Sequence, residues 1–335
     1  MRWSATGTRR SATTPDGVPT TDRGASPVLI CRHQGVRLAV LATLDSGSRA
    51  AARGWSDLAI RNAFILPTIA FLIVFNIFPL IYSLGFSFTE YRVSLQKPAE
   101  FIGLQNYADL LSDPAIWRSF TTTAQYVIVS VGGQMIVGFG LALLLNRPFK
   151  FKGLVTTLLM LPMMLSPAVV GLFWKLLYDP SWGPINYALG IGKFEWLSNR
   201  VNALFAVAIT DIWMWSPFVM LLSLAGLSAI PKSLYEAAAI DRASWWYTFR
   251  RITLPLVSPL LLIALIFRTM EAFKAFDLPF IMSTASVETI AIKLYQMAFQ
   301  GWDTGKASAL AYIVLIVVLC ITNIYVKYLN KVKER

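Results

Sequence analysis

The chain has 335 residues, of which 56% are apolar and only 14% charged, with a mean hydropathy of +0.57 and a formal net charge of +12. Soluble domains carry roughly 25% charged residues and rarely hold one core together beyond ~250–300 residues. This composition therefore excludes a single soluble globule and points to a chain whose apolar surface is solvated by lipid. The positive charge lies in an N-terminal tail and in short loops between apolar runs, not in one compact patch. That distribution argues against a nucleic-acid partner and fits the positive-inside bias of membrane proteins.

Residues 1–56 are rich in Arg, Ser, Thr, Gly and Ala without a sustained apolar period, so a disordered basic tail is expected. The partly apolar stretch 28–44 is broken by Arg32, His33 and Arg37 and is neither a signal-peptide core nor a span. A start codon downstream of Met1 would leave part of this tail unmade. Residues 57–335 form the predicted membrane domain. Crossing ~30 Å of hydrocarbon takes about 20 residues, and six apolar runs reach that length: 63–86, 121–145, 154–177, 203–227, 256–273 and 307–325. The predicted fold class is all-α, a polytopic membrane protein with six transmembrane helices. Pro67, Pro79, Pro162 and Pro167 fall in or near these runs, where neighbouring helices can re-satisfy the backbone. Gly132, Gly133, Gly138 and Gly140 in the second run let helices approach closely. Trp174, Tyr178, Trp182, Trp196 and Tyr325 near run ends read as an interfacial aromatic belt.

Lys and Arg set the expected orientation. One set of segments holds Arg49, Arg53, Arg61, Arg147, Lys150, Lys152, Lys232, Arg242, Arg250, Arg251, Lys327, Lys331, Lys333 and Arg335. The alternating set holds fewer within comparable reach: Arg92, Lys97, Arg118, Lys193, Arg200, Lys274, Lys293 and Lys306, accompanied by acids such as Glu90, Glu100, Asp109 and Asp113. Both termini are therefore expected on the cytoplasmic side.

Three ionisable residues fall inside the runs. Asp211 lies in the fourth, flanked by Trp213 and Trp215, while Arg268 and Glu271 share one helical face in the fifth. Helical rise places Asp211 and Arg268 both ~10–14 Å below the outer surface. Two readings stand side by side. Intramembrane charges often mark a substrate path, here with aromatic rings to stack on sugar faces and charged groups for hydroxyls or phosphates. The same residues also suit a structural ion pair that fixes helix packing.

The only histidine is His33 and the only cysteines are Cys31 and Cys320. Both thiols are expected to be free, with Cys320 packed in a membrane helix, and no metal or catalytic site is expected. The segment 301–307, Gly-Trp-Asp-Thr-Gly-Lys-Ala, superficially looks like a phosphate-binding loop, but it is one residue short and Ala307 replaces the magnesium-binding Ser or Thr. The chain is not expected to hydrolyse ATP. An intramembrane enzyme would need a nucleophile–base pair or metal ligands that the runs do not contain. A self-sufficient secondary transporter would usually show internal repeats with broken helices, and no clear repeat is visible.

The most specific feature is the loop 231–255, a proline-bounded amphipathic segment. Ser233 and Glu236 have capping-box spacing, and Glu236-Ala237-Ala238-Ala239 is strongly helix-forming. Asp241, Arg250 and Arg251 give a charged face, and Leu234, Ile240, Trp245 and Phe249 an apolar one. By physics alone, such a helix docks a partner or lies in the headgroups. The loop resembles the EAA signature of ABC importer permeases: Glu236, Ala237 and Ala238, then Ile252, Leu254 and Pro255 at the full spacing. The usual glycine is replaced by Arg242, which implies a reshaped turn or a direct contact of Arg242 with the ATPase, since arginine resists positive φ.

The resemblance runs from about Ala63 to the C-terminus, and the order of elements looks like that of the first permease of the pair in maltose and glycerol-phosphate importers. It is carried further by 101–107 (Phe-Ile-Gly-Leu-Gln-Asn-Tyr), 182–187 (Trp-Gly-Pro-Ile-Asn-Tyr), 273–277 (Phe-Lys-Ala-Phe-Asp) and 305–309 (Gly-Lys-Ala-Ser-Ala). At 283–287 a Gly-rich family stretch is absent, implying a different docking of the binding protein at that outer loop. The resemblance implies a type I importer permease in a prokaryotic cell membrane, translocating a carbohydrate or sugar-like solute, with amino acids or peptides as alternative cargo. It implies a second homologous permease, two ATP-binding subunits that supply ATP and magnesium, and an extracytoplasmic solute-binding protein. Glu236, Ala237, Ala238, Asp241, Arg242, Ile252, Leu254 and Pro255 would couple to the ATPase.

Overall fold

The computed structural model describes residues 57–93, 98–283 and 286–333; the expected basic tail at 1–56 lies outside them. The chain divides into two units, Met1–Leu72 and Ile73–Arg335. Within the first, α1 (Asp57–Leu72) carries Pro67 inside the helix and exposes its described apolar side chains. The second begins with a π-helical turn at Ile73–Ile77 and continues as α2 (Phe78–Ser87), of which only Ser87 is buried.

Five helical stretches are long and apolar enough to cross a membrane: Arg61–Ser87, Pro114–Leu145, Arg200–Ser228, Trp245–Phe273 and Thr304–Lys331. The expected third run differs from a plain span. It forms α5 (Lys152–Met164) and α6 (Pro167–Leu177), bent by 96° at the break, so the count of six holds only if this pair is one span. Proline chemistry explains the bend. Pro162 lacks an N–H for the helix ladder, and Ser166, preceding Pro167, is pushed to extended backbone (ψ 134). Pro167 then restarts the helix at its first turn, where a missing N–H costs nothing.

The second unit is built on α4 (Pro114–Leu145) and α8 (Arg200–Ser228), the most extensively packed pair in the chain. They run parallel: Arg200 Nη2 donates to Thr122 Oγ1 (2.8 Å), Gln134 Nε2 to Asp211 Oδ2 (2.7 Å), and Gly138 sits against Ser216–Met220. The glycines of α4 divide by face. A Cβ on Gly138 would lie 2.6 Å from both the Ser216 carbonyl oxygen and Val219 Cβ, and one on Gly133 would strike the Ile212 side chain. Gly132 and Gly140 face open space and play no part in this seam.

Around this pair stand α11 (Leu254–Phe273), which packs on both, and α14 (Thr304–Lys333), which packs on α2 and α11. The short α12 (Asp277–Ser283) lies on α6. The N-terminus of α13 (Ile290–Tyr295) is held to α4, where the Ile290 N–H donates to Thr123 Oγ1 (2.8 Å).

At one end the chain is clamped by polar bonds. A two-residue antiparallel ladder joins β1 (Thr89–Glu90) to β2 (Glu100–Phe101), and α3 (Gln105–Ser112) follows. Asn106 Nδ2 donates to the carbonyls of Ser87 and Thr89 (3.0 and 2.9 Å), and Tyr107 OH to Ser87 Oγ (2.7 Å). Arg92 pairs with Asp303 (3.2 Å) and Lys306 with Asp109 (3.0 Å). Hydrogen bonding to the Lys306 ammonium holds the Asp109 carboxyl below the usual range. Lys306 of the phosphate-loop look-alike is thus spent on an ion pair.

Two expectations need correction. Trp174, Tyr178 and Trp196 do not form a lipid-facing belt: Tyr178 is buried, and its ring lies 5.4 Å from Trp174 and 5.3 Å from Trp196 between centroids, so the three pack inside the chain. Trp182 is exposed. Cys320 is a free thiol, as expected, but exposed on α14. The tightness of the α4–α8 seam predicts that Gly138→Ala lowers the unfolding midpoint in detergent, by an overpacking cost of about 1–3 kcal/mol. Gly140→Ala should leave it unchanged; equal effects at the two positions would refute the close approach.

Candidate solute cleft and coupling loop

Asp211 and Arg268 do meet. They approach along α8 and α11 to 3.5 Å (Oδ2 to Nη2), with both side chains nearly fully buried. A third residue completes the arrangement: Gln134 of α4 donates to Asp211 Oδ2 (2.7 Å) and accepts from Arg268 Nε (2.7 Å). The Arg268 guanidinium also lies 4.5 Å from the centroid of the Trp215 ring, a cation–π contact. Beside the carboxylate, the hydroxyls of Tyr126 and Ser130 are buried without a well-formed hydrogen bond among the described residues.

This network forms the floor of an open cleft of about 190 Å³, lined by Tyr126, Asp211, Trp215 and Arg268 and rimmed by Glu271, Lys274 and Asp277. Glu271 is exposed and pairs with Lys274 at 3.1 Å. Of the five residues expected on a substrate path, four line the cleft; Trp213 does not. Its ring packs edge-on against Trp174 (5.5 Å) and borders a different, apolar hollow beside Leu161 and Pro162. Sequence reading missed Tyr126, Ser130 and Gln134. Their signal was neutral polar residues every fourth position (Thr122, Tyr126, Ser130, Gln134) in an otherwise apolar run, a spacing that keeps them near one helical face.

At the opposite end of α8 the chain turns into the loop bearing the Glu-Ala-Ala sequence. Pro231 is the N-cap of α9 (Lys232–Ile240) with no side-chain capping bond, so Ser233 lies inside the helix and the expected capping box does not form. At the C-terminus the turn is not reshaped, the first of the two outcomes expected of Arg242. Arg242 itself adopts the left-handed conformation (φ 50), with the Ala243 N–H donating to Ala238 O (2.9 Å) and the Arg242 N–H to Ala239 O (3.1 Å). This is the Schellman pattern, normally completed by glycine.

A single turn, α10 (Trp245–Thr248), capped by Ser244 Oγ accepting from the Tyr247 N–H, leads through a π-helical turn at Phe249–Thr253 straight into α11. Tyr235 OH and Thr253 Oγ1 are 3.1 Å apart and fasten α9 to that turn. Glu236, Ala237, Asp241, Arg242, Leu254 and Pro255 are exposed, Ala238 is buried and Ile252 half-buried. The expected apolar face is largely uncovered: Ile240 is 83% and Trp245 65% exposed, though the Trp245 ring stacks on Phe249 at 5.4 Å.

The described helices thus place a buried polar floor on one side and an exposed, partly apolar loop at the far end of α8. Residues 134–333, more than half of the chain, match the family of binding-protein-dependent transport system inner membrane components. The chain belongs to that family: it is a multi-pass inner-membrane permease subunit of a binding-protein-dependent ABC importer, and ATP binding in this family resides in partner subunits. It is 35% identical over 273 residues to the trehalose/maltose transport system permease protein MalF of Thermococcus litoralis (78% of this chain, 91% of that one). It is 34% identical over 286 residues to the sulfoquinovosyl glycerol transport system permease protein SmoG of Agrobacterium fabrum (82% and 93%). In fold it is similar to a crystallised bacterial ABC transporter involved in importing the acidic polysaccharide alginate. The TM-score is 0.72 at 22% identity, covering 81% of this chain and 95% of that one.

Two predictions follow from the geometry. Removing one partner of a buried ion pair strands the other charge, at about 3–5 kcal/mol. Asp211→Asn or Arg268→Gln alone should therefore lower the unfolding midpoint in detergent sharply, and the double variant should recover most of the loss; strictly additive losses would disprove the coupling. At the loop, Arg242→Gly relieves ~1–2 kcal/mol of left-handed strain against the greater chain entropy of glycine. A gain of about 0.5–1 kcal/mol is expected, and a loss would mean that the Arg242 side chain makes a compensating contact.

Proposed function

We propose that this chain is the first permease of a pair that imports a carbohydrate or sugar-like solute, with both termini in the cytoplasm. The observation that carries the solute class is the cleft. Its floor holds a self-neutralised Asp211–Gln134–Arg268 network, an aromatic ring at Trp215 and an unpartnered Tyr126 hydroxyl. Aromatic faces bordered by hydroxyl and amide groups suit a polyhydroxylated ring, and the sugar-transport names of the relatives support this reading. A second homologous permease would close the path on its other side.

The loop at α9 lies on the side richer in Lys and Arg and is the proposed dock for one of two ATP-binding subunits. The exposed Ile240 and Trp245 would be covered there. Glu236, Ala237, Ala238, Asp241 and Arg242 would form the docking helix and its turn. Ile252, Leu254 and Pro255 would pass its motion into α11, which carries Arg268 and Glu271 at the cleft. An extracytoplasmic solute-binding protein would deliver the cargo to the other side.

The test is purification of the tagged chain in mild detergent followed by reconstitution into liposomes. The wild type should bring with it an ATPase, a second permease and a solute-binding protein, and take up solute only with ATP. Glu236→Lys should insert normally but reduce ATP-driven uptake to about a tenth or less, as loss of a docked charged contact predicts. A chain that transports alone without ATP would overturn the whole reading, and undiminished uptake by Glu236→Lys would remove the role of the loop.

A further inference from the structure

A second cavity lies apart from the cleft, at the end of the molecule where α4 and α8 begin. It has a volume of about 320 Å³ and is lined by Arg118, Ser119 and Thr122 of α4, Arg200 of α8, and Ser286 and Glu288 of the loop before α13, with Ala115 at its edge. We propose that this pocket is a receptor for a carboxylate side chain of the extracytoplasmic solute-binding protein. The proposal rests on the importer reading and on the orientation given above.

The donors in the pocket decide its ligand. Each hydroxyl proton is already committed to a carbonyl: Ser119 to Ala115 (3.1 Å), Thr122 to Arg118 (2.9 Å) and Ser286 to Leu197 (3.2 Å). Arg200 reaches Thr122 Oγ1 (2.8 Å) and Gln125 Oε1 (3.5 Å) with the same nitrogen, leaving its other N–H groups free of an acceptor among the described residues. No acid lies within ion-pair distance of Arg118 or Arg200 among the described residues, whereas Arg92, Lys274, Lys293 and Lys306 at the same end each have one. The one acid in the lining, Glu288, is matched by Lys293 at 3.5 Å. What remains are two planar guanidinium forks on adjacent helices and no competing anion. That set calls for an acceptor-only group with two oxygens, a carboxylate.

Position favours a protein over a lipid headgroup as its source. Arg118 precedes Gln134 by ~24 Å along α4. With the buried network ~10–14 Å below the hydrocarbon surface, Arg118 stands ~10 Å or more above it, beyond a headgroup layer of roughly 5–7 Å. Rim charges of this kind act chiefly on encounter rate and salt dependence.

The test uses the detergent-solubilised importer complex, immobilised by its tag and titrated with the solute-binding protein that co-purifies with it. Arg118→Glu/Arg200→Glu should weaken association about 10–100-fold at 50 mM salt, mostly in the on-rate, and flatten its salt dependence, while basal ATPase activity stays at the wild-type level. Arg118→Glu alone, at an exposed side chain with no polar partner among the described residues, should give part of the effect, and Arg118→Lys/Arg200→Lys should keep the salt dependence while recovering the affinity only in part, since an ammonium lacks the planar fork. If the wild-type complex binds the protein and the charge-reversed one binds it equally well at all salt concentrations, the pocket proposal fails while the importer reading stands. If the charge reversal instead depletes co-purified phosphatidylglycerol and leaves protein binding unchanged, the pocket is a lipid site and the proposal is overturned. If no binding protein associates with the wild type, both fall together.

Discussion

The close approach of α4 to α8 at Gly138 governs the rest of the second unit. With no Cβ at that point, the Ser216 carbonyl and the Val219 side chain can sit where a larger residue would hold the helices apart. Because the two helices run parallel, contact at Gly138 sets the register for every level above it. Gln134 meets Asp211, and Thr122 meets Arg200. Both polar sites are therefore consequences of one packing constraint: the buried network at mid-depth and the guanidinium pocket at the rim. In lipid, where apolar side chains gain little by leaving one another's company, such small-residue contacts and interhelical hydrogen bonds replace hydrophobic burial as the force between helices.

The loop at α9 shows a different balance. The Schellman turn is preserved even though its left-handed residue is arginine, so the hydrogen bonds from Arg242 and Ala243 to Ala239 and Ala238 outweigh a backbone strain of ~1–2 kcal/mol. The turn directs the chain into α10, whose helical path continues through the π turn to Phe273. Leu254 and Pro255 at the base and Arg268 at the cleft share one helix, ~20 Å apart along its rise, with Pro259 between them.

Much of this was legible from residues. Apolar runs of span length, their order and the Glu-Ala-Ala loop all survive in the structure, because length and hydropathy are local properties that lipid enforces strongly. Helical rise alone put Asp211 and Arg268 at one depth, and their ion pair was one of the two readings left open. Direction was harder. The residues Pro162, Ser166 and Pro167 carried the signal for a break, yet hydropathy is blind to a 96° bend and the run read as one span. Trp213 and Trp215 stand two residues apart and so point to different sides of α8, one to Trp174 and the other to Arg268. Gln134 and Tyr126 were overlooked because neutral polar residues carry no charge to flag their depth. At Arg242 the reshaped turn does not appear: the propensity argument against positive φ was sound, but the hydrogen bonds of the turn were stronger than the preference.

The buried network is compensated in charge but not in hydrogen bonds. Arg268 commits two of its N–H groups, one to Gln134 and one to Asp211, and its face to Trp215. The charge is compensated within the chain, so the low-dielectric floor holds no unpaired charge, whose desolvation would cost several kcal/mol. The groups left over are the remaining guanidinium N–H donors and the Tyr126 and Ser130 hydroxyls, buried without good partners. Unsatisfied buried hydroxyls carry a penalty of roughly 1–3 kcal/mol each, relieved when a water or a solute hydroxyl arrives. The floor of the cleft is thus electrically complete but short of hydrogen bonds, so what it can still gain is a hydrogen-bonding group and not a charge.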